Sequence, residues 1–86
     1  MSTRQPLKDQ IKKTPNVSSH LSQNIRNRRL ECKLTQSKLA ELLRVTPQAV
    51  SKWERGIALP DIELLIPLAE IFSVTVDELL GRYGNV

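Results

Sequence analysis

From Leu21 to about Tyr83, apolar residues recur at three- and four-residue spacing, the mark of helices that bury one face. Leu21, Ile25 and Cys32 fall near one face of a first helix, with Leu30 at its margin and Arg26, Asn27 and Glu31 turned away. Thr35 is a good N-cap for a second helix, Gln36 to Leu43, with Leu39, Ala40 and Leu43 inward. Arg44 and Val45 form a tight connection. Thr46 followed by Pro47 opens a third helix, because the hydroxyl caps it and proline suits the first helical position. Val50 and Trp53 lie about one turn apart on its inner face, and Gly56 ends it. Asp61 is placed to cap a fourth helix carrying Leu64, Leu65, Leu68, Ala69, Ile71 and Phe72. Pro67 inside it predicts a kink or a late start to regular hydrogen bonding. Thr75 and Glu78 form a capping box for a fifth helix with Val76, Leu79 and Leu80 inward, stopped at Gly81. No stretch alternates with period two long enough for a strand. The expected fold class is all-α, a compact bundle of five short helices.

Residues 1–20 read differently. They hold Pro6, Pro15 and many Ser, Thr, Asn and Gln, with too few apolar groups to offset the entropy of ordering. A basic, disordered tail is expected there, ahead of one domain over residues 21–83. In 86 residues, 40% hydrophobic and 26% charged, there is room for a single small core. The longest apolar run, Leu64 to Ala69, is far too short to span a bilayer. The N-terminus lacks the apolar segment of a secretion signal, so a cytoplasmic location is expected, away from membranes. One cysteine and one histidine cannot supply a disulfide scaffold, a zinc finger or the triad of a serine hydrolase. No cofactor, metal, small-molecule ligand or enzymatic activity is therefore expected. Cys32 is read as a small buried apolar residue and His20 as solvated.

The net charge of +4 hides a polarity. Residues 1–20 carry Arg4, Lys8, Lys12 and Lys13 against Asp9. Residues 21–55 carry Arg26, Arg28, Arg29, Lys33, Lys38, Arg44, Lys52 and Arg55 against Glu31, Glu41 and Glu54. Residues 56–86 carry only Arg82 against Asp61, Glu63, Glu70, Asp77 and Glu78. A basic half-surface is the footprint of a polyanion binder, although solvated surface charge gives the same pattern.

The informative stretch is residues 35–56, TQSKLAELLRVTPQAVSKWERG. Two capped helices flank a turn of about three residues. Pro47, Gln48, Ser51, Lys52 and Arg55 form a polar stripe along the start and outer side of the third helix. Gln pairs with adenine and Lys donates to guanine in a major groove. A helix N-terminus adds backbone N–H groups aimed at phosphate. An ordinary wet helix face is the bland counterpart of that reading.

These residues, with LPDIELL and the closing VTVDELLG, resemble the Cro/repressor-type (Xre-like) helix-turn-helix family, the lambda-repressor-like DNA-binding fold, from about Leu21 to Gly81. The helix-turn-helix falls at about 36–55. The resemblance implies five helices and DNA binding through the third. It implies base contacts from Pro47, Gln48, Ser51 and Lys52, and phosphate contacts from Gln36, Thr46 and Arg55. It implies a buried ion pair between Arg29 and Glu54; a surface phosphate contact is the other role open to Arg29. The chain departs from the family pattern at Arg44 and Lys33, where glycine is frequent, and at Lys38, where a capping-box acid is usual. Pro47 lacks a side-chain donor, which shifts its contact toward a thymine methyl.

The function expected is a sequence-specific, double-stranded DNA-binding transcriptional regulator, a repressor, that acts as a homodimer because one reading helix covers few base pairs. Leu79, Leu80, Tyr83 and Val86 are the expected dimer surface. The basic tail is either a DNA-embracing arm or a leader. The alternative is a protein-interaction adaptor or antitoxin-like module on the same fold.

Overall fold

The computed structural model describes residues 17–81, with side chains from His20 onward. They form α1 (Val17–Glu31), α2 (Gln36–Leu43), α3 (Pro47–Glu54), a 3-10 turn (Ile62–Leu64), α4 (Leu65–Phe72) and α5 (Val76–Leu79). Among the described residues there is no strand, and the architecture is the all-α bundle of five helices.

Three helices begin as the threonines dictate. Thr35 Oγ1 accepts from Lys38 N at 2.9 Å, and Thr46 Oγ1 from Ala49 N at 3.1 Å. Thr75 closes a full capping box, since Glu78 Oε1 also accepts from its backbone N–H at 2.9 Å. Asp61 does not cap: its side chain makes no capping hydrogen bond, and the chain enters α4 through the 3-10 turn. Pro67 is then the third residue of α4, where its missing N–H falls among donors that lack an intrahelical acceptor anyway.

α1 starts at Val17, four residues inside the segment expected to be tail. Tertiary contact supports this early turn, which is why local pattern did not reveal it. His20 is half-buried rather than solvated, and lies so close to Gly81 that a Cβ there would come within 2.6 Å of the imidazole Cγ. Asn24 Nδ2 donates to the carbonyls of Leu79 at 2.9 Å and Glu78 at 3.2 Å. These carbonyls end α5 and have no acceptor role within it. The character assigned to residues 1–16, and the places of Tyr83 and Val86, lie outside the described residues.

Each helix sends one side chain fully into the centre: Ile25, Leu39, Val50, Leu68 and Leu79. Leu21, Ala40, Leu43, Trp53, Ala69 and Phe72 complete the core. Leu79 is thus interior and cannot supply the expected dimer surface, whereas Leu80 is half-buried and packs partly against the core. Cys32 is exposed, not buried. The helix has given way to a turn there, and the inward position one turn after Ile25 belongs to Arg29.

Four helix ends share one geometry. A residue in the left-handed region follows the last turn, and two backbone N–H groups fold back onto carbonyls that the helix leaves open. At α3 the residue is Gly56 (φ +73°), with Gly56 N to Trp53 O at 3.1 Å and Ile57 N to Lys52 O at 2.9 Å. At α1, α2 and α4 the same position is held by Lys33, Arg44 and Ser73, with φ of 59°, 61° and 58°. A side chain there crowds the backbone, at a cost of roughly 1–2 kcal/mol. Arg44 therefore accepts the strain rather than relaxing the turn.

Replacing Ser73 by glycine is expected to raise stability by about 0.5–1 kcal/mol, the relief of crowding less the added freedom of the unfolded chain. Trp53→Ala is expected to cost about 3–5 kcal/mol through the cavity it leaves. Urea unfolding of both variants reads these values directly.

Candidate nucleic-acid interface

The site is built on α2 and α3, which pack closely on each other across the Arg44–Val45 turn. Val45 N reaches Ala40 O at 2.9 Å, which fixes the entry into Thr46. Thr46, Pro47, Gln48, Lys52 and Arg55 are all exposed, and Ser51 is half-buried. Arg55 Nε donates to Ser51 Oγ at 3.2 Å and to Ser51 O at 3.3 Å. The hydroxyl of Ser51 is therefore tied to the guanidinium beside it. The expected stripe exists as one outer surface of α3, continuous with its N-terminus.

Electrostatics favour an anion along this surface. Neither α2 nor α3 has an acidic residue in its first turn, so nothing opposes the partial positive charge of their open N–H groups. α3 contains one carboxylate, Glu54, and the fold internalises it. Arg29 Nε donates to Glu54 Oε2 at 2.6 Å and Nη2 to Oε1 at 3.0 Å, with the two side chains 10% and 3% exposed. The charge left on the outside of α3 is positive, from Lys52 and the adjoining Arg55.

Glu54 is also the acceptor for Gln36, whose Nε2 donates to Oε1 at 3.0 Å. The remaining guanidinium nitrogen, Arg29 Nη1, donates to Leu34 O at 2.8 Å. The Arg29–Glu54 pair thus joins α1, the loop before α2, the first residue of α2 and the last residue of α3. Its bond to Gln36 is absent from the sequence reading; the two residues stand 18 apart, and no local spacing announces the contact. Gln36 is anchored rather than free, and one of its two amide hydrogens stays available. Among the described residues, no buried side-chain nitrogen or oxygen lacks a hydrogen-bond partner.

Hydrogen bonding to Glu54 holds the Arg29 guanidinium above its ordinary value, against the opposing cost of burial. A raised folded-state value gives stability that is complete below the arginine's ordinary range and lost only above it. The contribution of Arg29 is therefore constant across neutral pH.

The helix-turn-helix family HTH_3 matches residues 25–79. The HTH-type transcriptional activator BcrR of Enterococcus faecalis is 52% identical over 48 residues, which are 56% of this chain and 24% of that protein. The crystal structure of the P22 c2 repressor in complex with a synthetic operator superposes with a TM-score of 0.69 at 30% identity, covering 81% of this chain and 100% of that one. The hydroxypropylphosphonic acid epoxidase from S. wedmorenis matches with a TM-score of 0.68 at 27% identity, covering 77% of this chain and 35% of that one. The chain spans 24% to 58% of the length of the curated relatives it matches.

Arg29→Ala is expected to cost about 3–5 kcal/mol, because it leaves the Glu54 carboxylate buried and uncompensated. The double variant Arg29→Met with Glu54→Leu is expected to recover most of that loss, since it removes both charges. Thermal unfolding of the single and double variants at one ionic strength is the measurement. With its matched span, its fold and its capped, basic third helix, the chain belongs to the Cro/repressor-type, Xre-like helix-turn-helix family.

Proposed function

We propose that this chain is a sequence-specific, double-stranded DNA-binding transcriptional regulator whose α3 reads the major groove. The observation that carries the reading is the outer surface of α3. Gln48 and Lys52 stand exposed there, while the one carboxylate of the helix is neutralised inside the fold. Gln48 pairs with an adenine edge, Lys52 donates to guanine, and Pro47 packs on a thymine methyl. Ser51 works at the border of this set through its bond to Arg55. Thr46, the free amide hydrogen of Gln36 and Arg55 hold phosphates around the groove, together with the open backbone N–H groups of α2 and α3.

A single short helix reads only a few base pairs, so the functional unit is a homodimer on half-sites about 34 Å apart. Repression is the action proposed, on the likeness to the P22 c2 repressor. The likeness to BcrR attaches the same kind of module to an activator, so the sign of regulation depends on where the site lies and what the module is joined to. A cytoplasmic place of action is part of the proposal; among the described residues no helix is long and apolar enough to cross a membrane.

Selection of duplexes from a random pool, followed by titration at several salt concentrations, tests the proposal. A two-fold symmetric consensus is expected. About five phosphate contacts per protomer predict a slope of log affinity against log salt near −4.5 per protomer. Arg55→Ala is expected to reduce that slope by about 1 and weaken all duplexes alike. Gln48→Ala is expected to weaken the selected consensus by about 1–3 kcal/mol and unrelated duplexes far less. A flat salt dependence with no consensus is the outcome that favours the adaptor reading.

A further inference from the structure

We propose that residues 4–13 dock on the surface formed by residues 57–66 of their own chain, and that while docked they are withheld from nucleic acid. The docking stands by itself; only the withholding rests on the DNA-reading proposal. Beyond the left-handed end of α3 the chain turns Ala58, Pro60, Leu64 and Leu65 toward the interior. Ile57, Leu59, Ile62 and Ile66 are left out, at 61%, 57%, 83% and 63% exposure. Four large aliphatic side chains left to water in ten residues is not the scatter expected of a surface, and such patches mark contacts. Asp61 and Glu63 flank Ile62 in sequence, Glu70 follows Ile66 by one helical turn, and all three are exposed. None of the ion pairs among the described residues uses them. Residues 56–81 contain no lysine or arginine. The surface is thus both apolar and negative, with no cation of its own.

Its complement is the stretch RQPLKDQIKK at residues 4–13, with Arg4, Lys8, Lys12 and Lys13 against Asp9. At helical spacing Leu7 and Ile11 share one side, Arg4, Lys8 and Lys12 stand next to them, and Asp9 falls opposite. That is the anchor spacing of a helix laid on an apolar surface, with cations supplied where the surface offers carboxylates. The start of the described chain brings the stretch within reach. A Cβ at Gly56 would stand 3.6 Å from the Ser22 hydroxyl, so the second turn of α1 lies against the residue that leads into Ile57. Val17 precedes Ser22 by about 7 Å along the helix axis. The chain from Leu7 to Val17 spans up to about 33 Å when extended. A tether of that length holds the stretch near the surface at a local concentration on the order of millimolar, an advantage that no separate molecule has.

Two aliphatic anchors are too few to hold separate molecules together, because association costs the freedom of both. Within one chain most of that cost is absent. Docking has a consequence for the reading surface on the other side of the charge divide. Free in solution, Arg4, Lys8, Lys12 and Lys13 add phosphate contacts on any duplex, and such contacts carry no sequence information. Seated against Asp61, Glu63 and Glu70, they are not available to phosphate. Docking therefore lowers the hold on duplexes of every sequence and leaves base reading to Gln48 and Lys52.

The experiment compares backbone NMR shifts of the full chain without DNA, at about 20 µM and about 500 µM, with those of a Leu7→Ser, Ile11→Ser variant. Shift differences are expected at residues 57–66, together with contacts between the Ile62 and Ile66 methyl groups and residues 4–13, all independent of concentration. A second variant, Ile62→Ser with Ile66→Ser, alters two exposed positions outside the core and is expected to abolish those contacts in a folded bundle. On an unrelated duplex at about 0.1 M salt it is expected to bind at least about fivefold tighter than the wild type, with a slope of log affinity against log salt steeper by about 2–4. Unchanged shifts at residues 57–66 in the first variant overturn the docking. So do differences confined to α2 and α3, or differences that grow with concentration and so give the surface to a second copy. Contacts present in the wild type, with duplex affinity and slope unchanged in the second variant, overturn the withholding. Absence of DNA binding by the wild type and both variants, with the contacts still present, overturns the DNA-reading proposal and leaves the docking standing.

Discussion

The carboxylate of Glu54 is where the bundle becomes a tool. It ends the third helix, yet it points inward and accepts from Arg29 on the first helix and Gln36 on the second. Hydrophobic contact alone leaves short helices free to slide or rotate by small amounts. A forked guanidinium gripping both oxygens at 2.6 and 3.0 Å does not. The orientation of the third helix is therefore set by directional bonds near its C-terminal end and by Thr46 at its start. Such a pair adds little net stability, because desolvation offsets its attraction. What it supplies is a fixed angle.

The same residue settles the electrostatics. A glutamate left on the surface beside Arg55 would repel phosphate. Turned inward and paired, it removes negative charge from the outer face and simultaneously consumes Arg29, a cation that charge counting assigns to the basic half. The working surface is thus smaller and more sharply defined than the arithmetic of the sequence suggests. Lys52 and Arg55 carry it on the third helix.

Much of this was legible in the order of residues. Helices two and three were readable to the residue, because threonine caps and the proline at the first position act locally. Leu39, Ala40, Leu43, Val50 and Trp53 were readable as core from spacing alone. The misreadings came where distant parts meet. The first helix begins at Val17 because α5 lies against its early turns, through His20 on Gly81 and Asn24 on the carbonyls of Glu78 and Leu79. Cys32 sat in register with the inner stripe but lies past the end of the helix. The bond from Gln36 to Glu54 was not legible either, since only the folded chain brings the two together; it leaves Gln36 one amide hydrogen for a phosphate. Asp61 takes the N-cap position of the 3-10 turn with the extended backbone of a cap, but its side chain makes no capping hydrogen bond. The exposed isoleucines were invisible for a related reason: helical spacing distinguishes apolar from polar, not which apolar residues the core has space to accept.

The left-handed helix ends at Lys33, Arg44 and Ser73 leave the protein a reserve. At each, a single substitution to glycine relaxes the backbone without removing a core side chain. A lineage that acquires such a glycine gains room to accept damaging changes elsewhere, including new residues on the third helix that alter its preferred operator. Ser73 sits away from the reading surface, so relaxation there leaves the basic face untouched. Evolvability of specificity in this molecule is thus held at the ends of its helices, in three crowded backbone angles.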